Sequence, residues 1–291
     1  MFEDASSDGP IRFSLKRPDG AVAGWRWVNE GAPPLLFCHA TGFCASVYKR
    51  MLQPLSDRFD IFALDMRGHG RTSLPADPGT LRSWDIYADD VASFLNSEAR
   101  DGWTLSGHSM GGVVVAMASR GRKDVSAIRL IEPVAMPPAT ALLARTPIWP
   151  HIAQRFPLVR GARQRRSVWP ARGDVMASYD RKKIFRSWAP GVLADYLEDG
   201  LVDADGGVRL SCAPAWEAAT FQAHANDFWG AVRAAPAPIR VLAADDRSST
   251  VWPGALRRFR RAGGQVAKQP GASHLIAMEK PDFVAEFVAA E

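Results

Sequence analysis

A serine set between paired glycines and a histidine near the C-terminus are the residues of this chain best placed to do chemistry. Gly107-His108-Ser109-Met110-Gly111 puts a glycine two residues before and two residues after Ser109, and Gly112 adds room. A serine on a tight strand-to-helix turn needs such neighbours, because the strained turn brings its surroundings into close contact. The helix that follows aims backbone N–H dipoles at the place where an oxyanion would develop. Gly271-Ala272-Ser273-His274 lies in a loop between the last strand-like run and the terminal helix. From there an imidazole can reach the serine across the strand ends, so His274 is the expected general base. Among the other five histidines, His108 is held in the serine turn and points away from the serine's side. His39 and His69 sit in turns that suit hydrogen bonding to backbone, and His151 and His224 are expected to face solvent.

The elements needed to position these residues are legible as alternating patterns. Ile11–Lys16 and Val22–Val28 flank an Asp19-Gly20 turn, which predicts a hairpin. Leu35–Cys38, Ile61–Leu64, Trp103–Ser106, Ala127–Ile131, Ile239–Ala243 and Gln265–Gln269 read as strands. Between them lie helical spacings: Tyr48, Met51, Leu52 and Leu55 behind a Ser46 cap, then Tyr87, Val91, Phe94 and Leu95, then the run from Gly111 to Arg120. Helices around Ala255–Arg261 and Pro281–Ala290 complete the series. This order predicts an α/β fold with a doubly wound, mostly parallel sheet covered by helices on both faces.

The alternation stops in the middle. Residues 133–236 hold helix-like pieces, among them Val192, Leu193, Tyr196 and Leu197 closed by Gly200, and five of the ten tryptophans. The domain reading is a core of residues 1–132 and 237–291 with a helical cap, 133–236, inserted after the sixth strand.

The motifs together resemble the α/β-hydrolase fold superfamily, in its serine-nucleophile, esterase- or lactonase-like branch. His39-Ala40-Thr41-Gly42-Phe43 resembles the H-G-x loop after the third strand, and Asp65-Met66-Arg67-Gly68-His69-Gly70 with Ser73 resembles the D-x-R-G-x-G-x-S turn. Gly107–Gly111 is similar to the family's nucleophile elbow and Gly271–His274 to its histidine loop. The resemblance implies an eight-stranded sheet and an oxyanion hole from the Met110 and Thr41 amides, with Phe43 the alternative because alanine replaces the usual glycine at position 40. It also implies a triad acid, in one of two places. Counting from Pro238 by the usual spacing puts Arg247 at the acid, unless the strand is one residue shorter, when Asp246 serves. The second placement, after the sixth strand, is Glu132 in Leu130-Ile131-Glu132-Pro133. Glu132 is preferred to Asp246, because a carboxylate at a buried strand end needs a partner such as a histidine N–H. Asp245 ranks third.

The implied activity is hydrolysis of an ester, lactone or similar activated carbonyl through an acyl-enzyme, with an apolar or aromatic substrate group under the cap. Cleavage of a C–C bond beside a ketone and cofactor-free peracid formation use the same residues and stand as alternatives. A non-catalytic ligand-binding homologue and an interfacial lipase are further readings. No metal and no organic cofactor are called for.

Composition fits this class. The 291 residues are 47% hydrophobic and 23% charged, as in ordinary globular proteins. Cys38, Cys44 and Cys212 show no metal spacing and read as small buried hydrophobes, which suggests a reducing, cytoplasmic setting. The start, Met1 to Pro10, lacks the pattern of a signal peptide, and no apolar run is long enough to span a membrane. The net charge of +5 is local, gathered between Arg155 and Arg186. No nucleic-acid motif accompanies that run, which reads as a solvated face. The expected partner is a small-molecule ester or lactone, and the sequence is compatible with a homo-oligomer.

Overall fold

The computed structural model describes residues 9–290. The expectation that no leader is present falls largely on residues 1–8, outside that range.

Ile11–Arg17 (β1) and Gly20–Trp27 (β2) pair as the antiparallel hairpin signalled by Asp19-Gly20. Pro34–Cys38 (β3), Asp60–Leu64 (β4) and Trp103–His108 (β5) are buried at every residue, as strands covered on both faces must be. Val125–Ile131 (β6) follows. After the inserted stretch, whose Val168–Trp169 (β7), Leu201–Ala204 (β8) and Gly207–Leu210 (β9) form a sheet of their own, come Ile239–Ala244 (β10) and Gln265–Gln269 (β11). The main sheet has eight strands in the order β1-β2-β4-β3-β5-β6-β10-β11. From β4 to β11 every pairing is parallel, while β2 runs antiparallel to both its neighbours.

Side chains alternate across this sheet, as the strand period requires. Leu36, Phe62, Leu130 and Val241 enter one apolar cluster with Val113 and Phe94. Leu35, Phe37, Ile61, Ile131 and Leu242 enter the other with Met51 and Val284. The helix Met110–Ala118 is buried along its whole length, so the residue that starts it is fixed by packing as well as by its turn.

Two local expectations need correction. Tyr48, Met51, Leu52 and Leu55 are buried as predicted, but they sit on a 3-10 turn (Ala45–Tyr48), a single α turn (Lys49–Leu52) and a second 3-10 turn (Gln53–Leu55). Pro54 has no N–H to continue an α ladder, and Ser46 lies inside the first turn instead of capping it. The inserted stretch is not purely helical. Its β7, β9 and β8 form a three-stranded antiparallel sheet. The Asp205-Gly206 pair between β8 and β9 is a hairpin signal that four-residue strands made easy to miss.

Candidate active site

Every loop that carries a motif leaves the same edge of the sheet, the carboxyl ends of its parallel strands, where ligands bind in such folds. Cys38 pairs with Gly107 and His108 with Ile131, so the ends of β3, β5 and β6 lie side by side.

Ser109 sits between β5 and its helix with φ 57° and ψ −115°, a conformation that non-glycine residues avoid and that marks strain held by its surroundings. The flanking glycines have a steric explanation. A Cβ on Gly107 would lie 2.3 Å from the Gly111 carbonyl carbon, and one on Gly111 would lie 2.1 Å from the Cys38 carbonyl oxygen. Backbone blocks both positions, so the turn can only be built with glycine there. The Ser109 N–H donates to the Ile131 carbonyl at 2.9 Å, which ties the serine to the neighbouring strand end.

His274 Nε2 stands 2.9 Å from Ser109 Oγ, and His274 Nδ1 stands 3.0 Å from Glu132 Oε2. Glu132 is fully buried and adopts φ 44°. Its carboxylate is held on every side. Oε1 accepts from the Ala244 N–H at 2.6 Å and the Ser249 hydroxyl at 2.8 Å, and Oε2 accepts from the Thr250 N–H at 2.9 Å. Burial alone would raise this carboxyl, but the His274 ring and the amides of Thr250 and Ala244 hold it below the ordinary glutamate value. A fixed anion at Nδ1 sets the imidazole tautomer that leaves Nε2 free to take the serine proton.

Asp246 does not join this array. Its carboxylate accepts from the Ser248 N–H at 2.8 Å and the Ser248 hydroxyl at 2.5 Å, and Ser248 Oγ accepts in turn from the His274 backbone N–H at 2.7 Å. Asp246 thus braces the loop and does not touch the ring. Asp245 pairs with Lys268. The Phe43 N–H, the alternative oxyanion donor, already bonds the Ala40 carbonyl at 3.2 Å. Thr41 lies against Met110, its hydroxyl 3.4 Å from the Met110 sulfur.

The motif histidines are neutral braces. His39 donates from Nδ1 to the Ala40 carbonyl and accepts the Met66 N–H at Nε2, while His69 bonds the Arg67 carbonyl and accepts the Gly42 N–H. His108 accepts from the Tyr48 hydroxyl at 2.7 Å and donates to the His274 carbonyl at 2.8 Å. The Tyr48 oxygen itself accepts the Ala40 N–H. One unbroken chain of bonds therefore links the loop after β3, the serine turn and the backbone of His274, a connection with no sequence signal of its own.

Burial lowers His39 well below its ordinary value, His69 to about 4 and His108 to about 3. Unfolded histidines titrate near 6.5, so over the window between these values unfolding takes up protons. Stability is then present above about pH 6.5 and lost as pH falls toward 4, with His69 alone contributing of the order of 3 kcal/mol. Asp65 works in the opposite direction, since burial, with the charge of Asp199, lifts it to about 7. His224, lowered to about 4 by burial, acts with these imidazoles, and four buried histidines outweigh Asp65 and the smaller upward shifts of Asp90, Asp195 and Glu217. The melting temperature is expected to drop by roughly 10 °C between about pH 7 and pH 4.5, as thermal melts across that range would show; a flat profile would contradict the neutral braces.

Away from this centre, His151 is exposed as expected, but His224 is buried between Trp84 and Trp149 and is not solvent-facing. The aromatic residues on either side exclude water from a ring whose position in the sequence looked like an ordinary loop. The five tryptophans of the inserted stretch are all buried, and three of them donate N–H bonds to main-chain carbonyls, so they serve as packing. The three cysteines are buried and free. Among the described residues no helix is long and apolar enough to cross a membrane, and no cluster of potential ligands could hold a metal ion.

Comparison with known proteins agrees with the fold. A protein of Mesorhizobium japonicum named 2-(acetamidomethylene)succinate hydrolase is 26% identical over 97% of this chain and 95% of its own length. The crystal structure of E-2-(acetamidomethylene)succinate hydrolase superposes with a TM-score of 0.77 at 23% identity, covering 95% of this chain and 97% of that one. The enol-lactonase of Burkholderia xenovorans superposes with a TM-score of 0.64 at 19% identity, covering 95% and 98%. Residues 35–287 match the model of the alpha/beta hydrolase family, and with the eight-stranded sheet in place the chain belongs to that family.

Proposed function

We propose that this chain is a serine hydrolase of an ester, lactone or similar activated carbonyl, working through an acyl-enzyme on Ser109. The observation that carries the reading is the continuous line from Glu132 Oε2 through His274 to Ser109 Oγ, with hydrogen-bond spacing at both joints. Ser109 Oγ attacks the carbonyl carbon as His274 Nε2 takes its proton, and Glu132 steadies the imidazolium that forms. The same proton then passes to the leaving group, the C–O bond breaks, and the acyl group remains on Ser109. Water, deprotonated by His274, resolves the ester.

The negative charge of the tetrahedral intermediate is assigned to two backbone donors. Met110 opens its helix, so its N–H has no carbonyl within that helix to bond. In the loop after β3 the amides of Ala40, Gly42 and Phe43 each bond another protein group, which makes Thr41 the loop's candidate. Residues 133–236 form the cap over this centre, and its Trp188 packs on Phe43 of the loop after β3, with their rings 5.7 Å apart. The free buried thiols support the cytoplasmic setting read from the sequence.

The test is a fluorophosphonate probe combined with a panel of chromogenic esters, lactones and β-diketones. Labelling at Ser109 with turnover of esters or lactones supports the proposal. Turnover confined to β-diketones would transfer the reading to C–C bond hydrolysis on the same residues, and absence of labelling would remove the activated serine.

Tyr48→Phe tests the bonded chain behind the site. It strands the buried Ala40 N–H and deprives His108 of a donor, a loss of about 1–3 kcal/mol in stability. Because Ala40 adjoins Thr41, kcat is expected to fall about tenfold with KM little changed; initial rates over a substrate series would read both.

A further inference from the structure

Ten basic residues lie between Arg155 and Arg186, and nine of them are exposed; Arg165 is the exception and turns inward. Its guanidinium meets Glu217 Oε1 at 3.0 Å. Glu217 stands on the helix Pro214–Gln222 of the inserted stretch and is only 2% exposed. It is aimed at the loop after β3, since a Cβ added to Gly42 would lie 2.4 Å from Glu217 Oε1. Gly42, at φ 79°, leaves the space that the carboxylate fills. Tyr196 closes the same corner by donating its hydroxyl to the Gly42 carbonyl at 3.2 Å. The pair therefore abuts the residue next to Thr41.

The second oxygen, Glu217 Oε2, is buried without a hydrogen-bond partner among the described residues. An acceptor left in that condition costs about 1–3 kcal/mol, more when charged, and such orphans in folded proteins call for an explanation. A substrate that donates a hydrogen bond would complete this one. The ion pair has a second effect. An arginine beside the site would attract a carboxylate-bearing substrate, but here Glu217 already neutralises it, and a second anion would meet a buried carboxylate that repels it.

We propose that Glu217 is a specificity-determining residue whose Oε2 accepts an N–H or O–H from the acyl part of a neutral substrate, and whose pairing with Arg165 turns carboxylate-bearing substrates away. The proposal rests on the reading of Ser109 as the nucleophile and adds the class of acyl group it serves.

Three matched nitrophenyl esters test it, with acyl chains ending in a hydroxyl, a methyl or a carboxylate, run on wild type, Glu217→Gln and Glu217→Ala. Wild type is expected to favour the hydroxyl ester over the methyl ester by about tenfold or more in kcat/KM and to use the carboxylate ester poorly. Glu217→Ala should lose the hydroxyl preference and, with Arg165 released, gain about tenfold on the carboxylate ester. Glu217→Gln keeps an acceptor oxygen, so it should retain part of the hydroxyl preference while gaining on the carboxylate ester; it carries the comparison if the alanine variant does not fold. Ratios unchanged in the variants, or a wild type without the hydroxyl preference, would overturn the proposal. Fluorophosphonate labelling separates the two levels. Labelling with unchanged ratios leaves the serine reading standing and removes only Glu217, whereas failure of wild type to label removes the reading beneath it.

Discussion

Ser109→Ala is expected to lower kcat by about four orders of magnitude or more, leaving only what binding and the oxyanion donors provide. Nothing else at the position is placed to replace the hydroxyl. The loss should be specific to chemistry. Alanine meets the same steric demand as serine at φ 57°, and the contact removed is the one to His274 Nε2. The variant should therefore keep its circular dichroism and melt within a few degrees of wild type, while giving no burst of chromophore and no fluorophosphonate adduct. A variant that still turns over at a tenth of the wild-type rate would place the nucleophile elsewhere.

Glu132→Gln is the second large effect. The carboxylate accepts hydrogen bonds from Ala244 and Ser249 at one oxygen and from Thr250 and His274 at the other. An amide supplies one oxygen and one NH2, so whichever way it turns, two donors face an N–H. Either the Ala244 corner is disrupted or the imidazole is forced into the wrong tautomer. The expected result is a fall in kcat of about a thousandfold to ten-thousandfold, with about 1–3 kcal/mol of stability lost from the unpaired donors. Asp246→Asn, by contrast, should change kcat by less than about twofold, because its bonds run to Ser248 alone. Steady-state kinetics on the two variants side by side decide between the carboxylates; a large loss in Asp246→Asn with a mild one in Glu132→Gln would reverse the assignment.

How far the sequence could go depended on the range of the forces involved. Strands β3, β4 and β5 were legible because burial on both faces demands unbroken apolar runs, and the serine turn because backbone contacts at Gly107 and Gly111 forbid any side chain. The choice between Glu132 and Asp246 leaned on a local argument about desolvation, but what places Glu132 at His274 is a set of bonds from residues 244, 249 and 250, more than a hundred positions away. No spacing rule encodes those. The β7-β9-β8 sheet escaped because strands of two and four residues are too short to show a period. Burial of His224 escaped because it depends on Trp84 and Trp149, which approach it only in the folded chain.

Glu132 is also the last residue before the inserted stretch departs. Its N–H is anchored to the Leu242 carbonyl, its own carbonyl accepts from the Thr250 hydroxyl, and its side chain is clamped at both oxygens. A tether fixed at so many points does not transmit a pull from one side to the other. Whatever replaces the segment beyond Pro133, by shortening, lengthening or wholesale exchange, meets the core at a joint that is already locked. The chain thus leaves β6 through a joint bolted to the strand ends at the very residue that faces His274.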